Sequence, residues 1–208
     1  MLNVGLTGGI ASGKSTVAAI LVEKGARHID FDELAHVSQA PDGPVWREIV
    51  RHFGEDILCP DGRIDRRRLG ERVFADRDQR ELLNRLVHPA VFDAWRRQLE
   101  EVREIEPEAI VLSDIPLLIE AGLESMVDLV LLVYIPPEEQ MARLMARNGY
   151  SREEAARRVA SQMPIAEKLA RADMVIRNDG PPEETRRAAG EVWELLKVRE
   201  RLCRAGKG

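Results

Sequence analysis

Short runs of consecutive apolar residues alternate along the chain with longer stretches in which apolar residues recur every three or four positions. Continuous apolar runs are typical of strands that are buried on both faces of a parallel sheet, and the longer period is typical of amphipathic helices. Strands that alternate with helices predict an α/β fold with right-handed crossovers. We predict a doubly wound sheet of five parallel strands, at residues 2–7, 27–30, 109–114, 129–135 and 174–176.

The predicted strands are unevenly spaced. Between residues 30 and 109 the chain shows helical patterns and turn signals but no run that is typical of a strand. A crossover helix needs far fewer residues, so we predict a helical insert over residues 34–86. A second helical stretch, residues 137–172, is rich in arginine, has Gly149 as a hinge, and is interpreted as a lid. The core of this single domain then comprises residues 1–33, 87–136 and 173–202, followed by a Gly/Lys-containing tail that is expected to be disordered.

Composition narrows the class of protein. The 208 residues are 44% hydrophobic and 32% charged, which is typical of a globular protein. A net charge of −5 argues against duplex DNA and anionic membranes as partners, and 4% aromatic residues are too few for the stacking platforms that bind single strands. The two cysteines show no spacing typical of zinc ligands, and no apolar run reaches the roughly 18 residues of a membrane span. We therefore expect a cytoplasmic protein without nucleic-acid or membrane partners.

Residues 8–15, GGIASGKS, match the phosphate-binding loop pattern G-x-x-x-x-G-K-S/T without a gap. A predicted strand precedes this P-loop and a helical pattern follows it, which is the context in which the pattern binds a nucleoside triphosphate. The glycines let successive N–H groups point at phosphate oxygens, Lys14 reaches the β- and γ-phosphates, and the Ser15 hydroxyl is placed for Mg²⁺. We assign contacts with the nucleoside triphosphate in the loop region to Gly9, Ala11, Ser12, Gly13, Lys14, Ser15 and Thr16.

Carboxylates follow two of the predicted strands. Because the carboxyl ends of parallel strands share one edge of the sheet, Asp32 and Asp114 are expected near the mouth of the P-loop. Asp32 either accepts the proton of an alcohol substrate or caps the helix that starts at Glu33. Asp114 either holds Mg²⁺, as the carboxylate of a Walker B strand does, or caps a turn. The pattern leaves both pairs of alternatives open.

Arginines in the two helical stretches offer anion contacts. Arg143 and Arg147 are four positions apart on one face of a predicted lid helix, so they either grip phosphates or pair with Glu138 and Glu139. Arg66 opens a predicted helix of the insert, where it either docks an anionic substrate or belongs to a solvated face. The pattern alone does not decide between these interpretations.

Two turn-like segments border the core. His88-Pro89 lies where the insert is expected to return to the core, and a residue before proline favours extended backbone, so His88 is interpreted as structural. Asn178-Asp179-Gly180 follows the last predicted strand and forms a turn at the edge where an adenine ring would rest. Asn178 is therefore assigned to the ATP site.

Five segments together resemble the dephospho-coenzyme A kinase family, and their order and spacing extend from residue 2 to about residue 180. The segments are LTGGIASGKSTV at 6–17, IDFD at 29–32, LVHP at 86–89, DIPLLIE at 114–120 and ADMVIRNDG at 172–180. The resemblance implies a P-loop NTPase of the nucleotide-kinase type that uses ATP to phosphorylate the ribose 3′-hydroxyl of dephospho-coenzyme A, giving coenzyme A and ADP. It also implies that Asp32 activates the hydroxyl, that Arg143 lies on the lid, and that the helical insert binds the coenzyme.

The candidate site then combines the loop, the carboxylates and the arginines, with ATP and Mg²⁺ as cofactors. Catalytic roles fall to Lys14, Asp32 and Arg143, further ATP contacts to Arg147 and Asn178, substrate contacts to Asp32, Arg66, His88 and Leu117, and Mg²⁺ ligands to Ser15 and Asp114. Two residues depart from the family pattern: Phe31 replaces a smaller residue, and Ala11 replaces a frequent glycine, which constrains the loop because alanine disfavours positive φ. The alternatives are another small-molecule or nucleotide P-loop kinase and an ATP-dependent switch protein.

Overall fold

The five predicted strands form one parallel sheet with the order β2-β3-β1-β4-β5 in the computed structural model, which describes residues 1–205 apart from the side chains of Phe74 and Ala75. The strands are β1 (Leu2–Gly8), β2 (Arg27–Asp30), β3 (Ile110–Asp114), β4 (Leu129–Tyr134) and β5 (Met174–Arg177). In the register of the sheet, Leu6 of β1 lies beside Asp114 of β3 and Leu131 of β4. The predicted fold class is confirmed, and every strand end agrees with its prediction to within one residue.

Except for β3, which is followed by the short 3-10 helix Glu124–Met126, every strand in the described part of the chain is followed by one or more α-helices. The α-helices are α1 (Lys14–Glu23), α2 (Phe31–Ser38), α3 (Pro44–Phe53), α4 (Arg66–Ala75), α5 (Arg77–Ile105), α6 (Pro137–Asn148), α7 (Arg152–Ala160), α8 (Ile165–Ala170) and α9 (Pro182–Ala205). The last helix extends three residues beyond the predicted end at 202, and the rest of the predicted Gly/Lys tail, residues 206–208, lies outside the described residues. Among the described helices, none is both long and apolar enough to cross a membrane.

The chain divides into two compact units, which are described separately. The core unit comprises Met1–Ile29 and the residues from Val102 onward, and the helical unit comprises Asp30–Glu101. The insert predicted over residues 34–86 falls within the helical unit. The boundary of the unit lies beyond residue 86 because α5 runs through that position as one helix.

The core unit is built around the buried central strand β1. Its alternate residues Leu2, Val4 and Leu6 are almost fully buried in one apolar cluster. Two helices complete this cluster, with residues such as Leu21 from α1 and Leu196 from α9. Burying an aliphatic side chain of this size contributes about 1.5–3 kcal/mol. The packing therefore holds the end of β1 and the start of α1 firmly, and the P-loop connects these two points.

The helical unit has an aromatic contact in its core. The ring of Phe31 lies 6.0 Å from the ring of Phe92 and 5.6 Å from that of Trp95, measured between centroids, with tilted or edge-on geometry. Phe31 itself is buried. Its departure from the smaller residue of the family pattern is thus explained by packing within this unit, at the first residue of α2.

The predicted extended backbone before Pro89 is wrong. His88 and Pro89 both lie inside α5, which is helical from Arg77 to Ile105. A proline inside a helix removes one backbone hydrogen bond and is costly. The helix nevertheless continues, because Val87, Val91 and Trp95, four positions apart, are buried along one face of it.

Candidate active site

Residues 9–13 form the P-loop between β1, which ends at Gly8, and α1, which begins at Lys14. A backbone hydrogen bond from Ser12 N to Gly9 O, 3.0 Å long, closes the turn. Gly13 has a φ of 81°, and a Cβ at this residue would lie 2.1 Å from Asn178 Nδ2, so only glycine fits. The start of α1 carries no side-chain cap, and N–H groups at such a helix start favour an anionic ligand.

Asn178 supports the P-loop from the segment after β5. Its Nδ2 donates to Ser12 O at 2.7 Å, and its Oδ1 accepts from Thr185 Oγ1 at 2.8 Å. The side chain is buried, so these two bonds set its orientation. The residue predicted to contact ATP therefore lies at the P-loop, with its amide bonded to the backbone of the loop itself.

Two glutamines that sequence reasoning missed also touch the P-loop. Gln162, between α7 and α8, accepts a hydrogen bond from Ile10 N through its Oε1 at 2.7 Å. Gln140 of α6 is buried, and its Nε2 lies 2.1 Å from the position that a Cβ of Gly9 would take. No sequence motif marks either glutamine, because both contacts depend on how distant helices return to the sheet.

Ala11 adopts a φ of 59°, in the left-handed region of backbone conformation. This conformation costs a residue with a Cβ atom about 1–2 kcal/mol. Strained residues of this kind persist where surrounding contacts hold them, and they cluster at functional sites. The alanine that departs from the family pattern is thus accommodated with local strain in the P-loop.

Lys14 and Asp114 form an ion pair at the carboxyl edge of the sheet. Asp114 ends β3 and is 3% exposed, and its Oδ2 lies 3.5 Å from His28 Nε2. The side chain of Lys14 is 21% exposed. An ammonium group that solvent can reach, at the first turn after a P-loop, is placed to bind phosphate oxygens.

Ser15 and Asp114 fit Mg²⁺ by the chemistry of their donor atoms. Ser15 is exposed in the first turn of α1 and offers a hydroxyl oxygen, and Asp114 offers carboxylate oxygens at the end of β3. Mg²⁺ takes oxygen ligands, usually one or two from protein and the rest from water and substrate phosphates. These two residues are therefore the ones that would hold the ion.

Arg143 makes the glutamate contact that was one of its two predicted alternatives, and its guanidinium also lies beside the P-loop. Its Nε donates to Glu139 Oε1 at 2.9 Å, one turn back on α6, and its Nη2 donates to Asn178 O at 2.6 Å. Its Nη1 lies 3.6 Å from the position that a Cβ of Gly13 would take, so the guanidinium is beside the P-loop. Arg147, one turn further along α6, is exposed and donates to Asn148 Oδ1 at 2.9 Å.

Asp30 and Asp32 share the start of α2 but differ in their contacts. Asp30 is the cap of this helix, because its Oδ1 accepts hydrogen bonds from Asp32 N at 2.8 Å and from Glu33 N at 3.3 Å. The alternative in which Asp32 caps a helix beginning at Glu33 is therefore wrong. The Asp32 side chain is exposed in the first turn of α2.

Arg66 and His36 line a cavity in the helical unit. Arg66 starts α4, and its Nη2 lies 2.7 Å from His36 Nδ1. His36 comes one turn after Asp32 on α2, so these two residues share one face of that helix. The cavity has a volume of about 400 Å³, and its lining also includes Arg63, which is paired with Asp61. Two guanidinium groups at one cavity suit an anionic ligand.

His88 and Leu117, the other predicted substrate contacts, lie in different units. In the helical unit, partial burial lowers the pKa of the His88 imidazole below its usual value, which favours the neutral ring. The ring lies edge-on to Phe92 with 5.9 Å between centroids. In the core unit, Leu117 is 48% exposed in the segment after β3.

Lys168 is the cation whose position sequence reasoning missed most clearly. It lies in a stretch with the charge of a solvated lid, yet it is fully buried. Its ammonium group is paired with Glu120, which belongs to the segment after β3. The pair anchors α8 within the core unit. In the sequence, the pair is marked only through Glu120, which lies in the DIPLLIE segment that resembles the family.

Comparison with known proteins agrees with this architecture. A family model described as dephospho-CoA kinase matches residues 2–184. A dephospho-CoA kinase of Syntrophus aciditrophicus is 57% identical over 204 residues, covering 98% of this chain and 87% of the relative.

Solved structures give the same result. A crystal structure of a Thermus thermophilus protein has a TM-score of 0.78 and 40% identity, covering 94% of this chain and 97% of that one. A dephospho-CoA kinase from Campylobacter jejuni has a TM-score of 0.72 and 28% identity, with coverage of 94% and 97%. The chain therefore belongs to the dephospho-CoA kinase family.

Proposed function

We propose that this protein transfers a phosphoryl group from ATP to the ribose 3′-hydroxyl of dephospho-coenzyme A, giving coenzyme A and ADP in the last step of coenzyme A biosynthesis. The observation that carries the proposal is the P-loop, with Lys14 and Asp114 paired beside it, in a chain of this family. Both substrates are small and polar, so we propose that the enzyme works in the cytoplasm.

Binding of ATP is assigned to the core unit. N–H groups at the start of α1 and the ammonium group of Lys14 attract the β- and γ-phosphates. Arg143, which lies beside Gly13, adds a second positive charge as negative charge shifts toward the leaving oxygen. Mg²⁺, held by Ser15 and Asp114, would neutralise charge on the same phosphates. We propose that α6 and α7 form the lid over this site.

Binding of the acceptor is assigned to the helical unit. Asp32 accepts the proton of the attacking hydroxyl, a role supported by its exposure and by the use of Asp30 as the helix cap. The cavity of about 400 Å³ lined by Arg63 and Arg66 suits the diphosphate of the acceptor. Partial burial lowers the pKa of His88 and so favours its neutral form, and we assign this ring packing or a hydrogen bond to the acceptor.

A coupled assay of ADP release with Mg·ATP tests the function. Dephospho-coenzyme A is compared with adenosine, AMP and shikimate as acceptors, and coenzyme A is identified by mass. We expect turnover of dephospho-coenzyme A alone. Turnover of another acceptor would indicate a different P-loop kinase, and tight ATP binding without any turnover would indicate a switch protein.

Replacement of Asp32 tests the proposed base. Asp32→Asn keeps the shape of the side chain but removes its basicity, so kcat should fall by about 10²–10⁴-fold. ATP affinity, measured by calorimetry, should be unchanged. The control is Glu33→Gln, which neutralises the adjacent exposed carboxylate on the same helix turn and should leave kcat near normal. Loss of ATP binding in Asp32→Asn would contradict a role as base.

A further inference from the structure

Two amide side chains hold the backbone of the P-loop on either side of its strained residue, through the Gly9–Ile10 and Ser12–Gly13 peptide units. On one side of Ala11, Gln162 Oε1 accepts from Ile10 N at 2.7 Å, and on the other side Asn178 Nδ2 donates to Ser12 O at 2.7 Å. Ala11 between them has a φ of 59°. The two bonds thus clamp the part of the loop that would otherwise relax to negative φ.

Gln162 projects from a support that is itself fixed. It lies two residues before Pro164, the residue that precedes α8. That helix is anchored by the fully buried ammonium group of Lys168, which is paired with Glu120. A side chain on so short a connection to an anchored helix has little freedom to follow a rearranged loop. Gln162 can therefore impose a position on the loop backbone.

We propose that Gln162 is a positioning residue for phosphate binding, which keeps the P-loop in its binding conformation by holding the Ile10 N–H. The inference rests on the proposed function only in that the loop binds the phosphates of ATP. Without this bond, the preference of Ala11 for negative φ rotates the neighbouring peptide units, and the N–H groups of the loop turn away from the phosphates. The effect of Gln162 therefore depends on the side chain at residue 11.

A double-mutant cycle tests this dependence. The dissociation constant for ATP is measured by calorimetry, without any acceptor, for the native protein, Gln162→Leu, Ala11→Gly and the double variant. Loss of one hydrogen bond should weaken ATP binding by about 2- to 10-fold in Gln162→Leu. Glycine adopts positive φ without strain, so the same substitution in the Ala11→Gly background should weaken binding by less than about 2-fold.

Two further variants make the outcome decisive. Gln98→Leu, at an exposed position of α5, adds the same apolar side chain and should leave ATP binding unchanged. Gln162→Asn, one methylene shorter, also loses the contact but stays polar, and it decides the test if Gln162→Leu does not fold by circular dichroism. Native ATP affinity in Gln162→Asn, or an equal loss in both backgrounds at residue 11, would overturn the proposal. Failure of the acceptor assay would leave this test valid, because calorimetry needs no acceptor.

Discussion

The Lys14–Asp114 and Lys168–Glu120 pairs of the core unit differ in their access to solvent. In the pair of Lys14 with Asp114, the lysine side chain is 21% exposed, whereas in the pair of Lys168 with Glu120 it is 0% exposed. An accessible ammonium group exchanges its partner for an incoming phosphate at little cost. A fully buried one has lost its hydration and depends on its partner. The same chemical pair is thus suited to ligand binding at the P-loop and to anchoring at α8.

Removal of Lys14 should produce the largest functional effect. Lys14→Ala deletes a charge aimed at the β- and γ-phosphates, so we expect kcat/KM for ATP to fall by at least about 100-fold. Thermal unfolding without nucleotide is measured alongside, because the variant also leaves the buried Asp114 carboxylate without its lysine partner. The control is Lys24→Ala, at an exposed lysine just after α1. Near-native turnover in Lys14→Ala would contradict the assignment of the P-loop.

Removal of Lys168 should instead affect stability. Lys168→Met leaves Glu120 as a carboxylate without its buried partner, which costs about 3–5 kcal/mol of unfolding free energy. Urea denaturation measures this loss. The double variant Lys168→Met with Glu120→Gln removes the uncompensated charge and should recover much of it. If the single variant were fully stable but inactive, Lys168 would have a role in ligand binding like the one proposed for Lys14.

Arg143 is intermediate between these two lysines, since it hydrogen-bonds to protein groups and lies beside the P-loop. Arg143→Ala should reduce kcat by about 10- to 100-fold, as expected for loss of hydrogen bonds to a charged group. Arg147→Ala should have a smaller effect, because Arg147 is exposed one turn further along α6. The two variants are compared by steady-state kinetics at saturating acceptor. Equal effects would show that α6 presents both arginines to ATP.

The smallest effect is expected at Ala11. Ala11→Gly removes the strain of a φ of 59°, but glycine also gains freedom in the unfolded chain. We therefore expect the unfolding free energy to rise by no more than about 1 kcal/mol. Thermal unfolding and urea denaturation check this value. A clear loss of stability would mean that the methyl group of Ala11 makes a packing contact that outweighs the strain.

Sequence reasoning succeeded for features that depend on residues close to one another in the sequence. The P-loop, the ends of the strands, and the position of Asp114 at the end of β3 all follow from patterns a few residues long. It failed for Pro89, which lies inside a helix, because burial of one face of α5 outweighs the preference of a proline for helix ends. It also left open whether Asp32 caps a helix that starts at Glu33, whereas the helix starts at Phe31 and its cap is Asp30.

The sequence by itself determined the fold class, the phosphate-binding loop and the family, because each is encoded in local periodicity or in residues at fixed spacing. Only the tertiary structure decided which side chains support that loop. Gln162 bonds a residue 152 positions away and Asn178 one 166 positions away. The tertiary structure also decided that the side chain of Lys14 is accessible to solvent and that of Lys168 is buried. Exposure depends on how separate helices pack against the sheet, and no pattern within one helix carries that information.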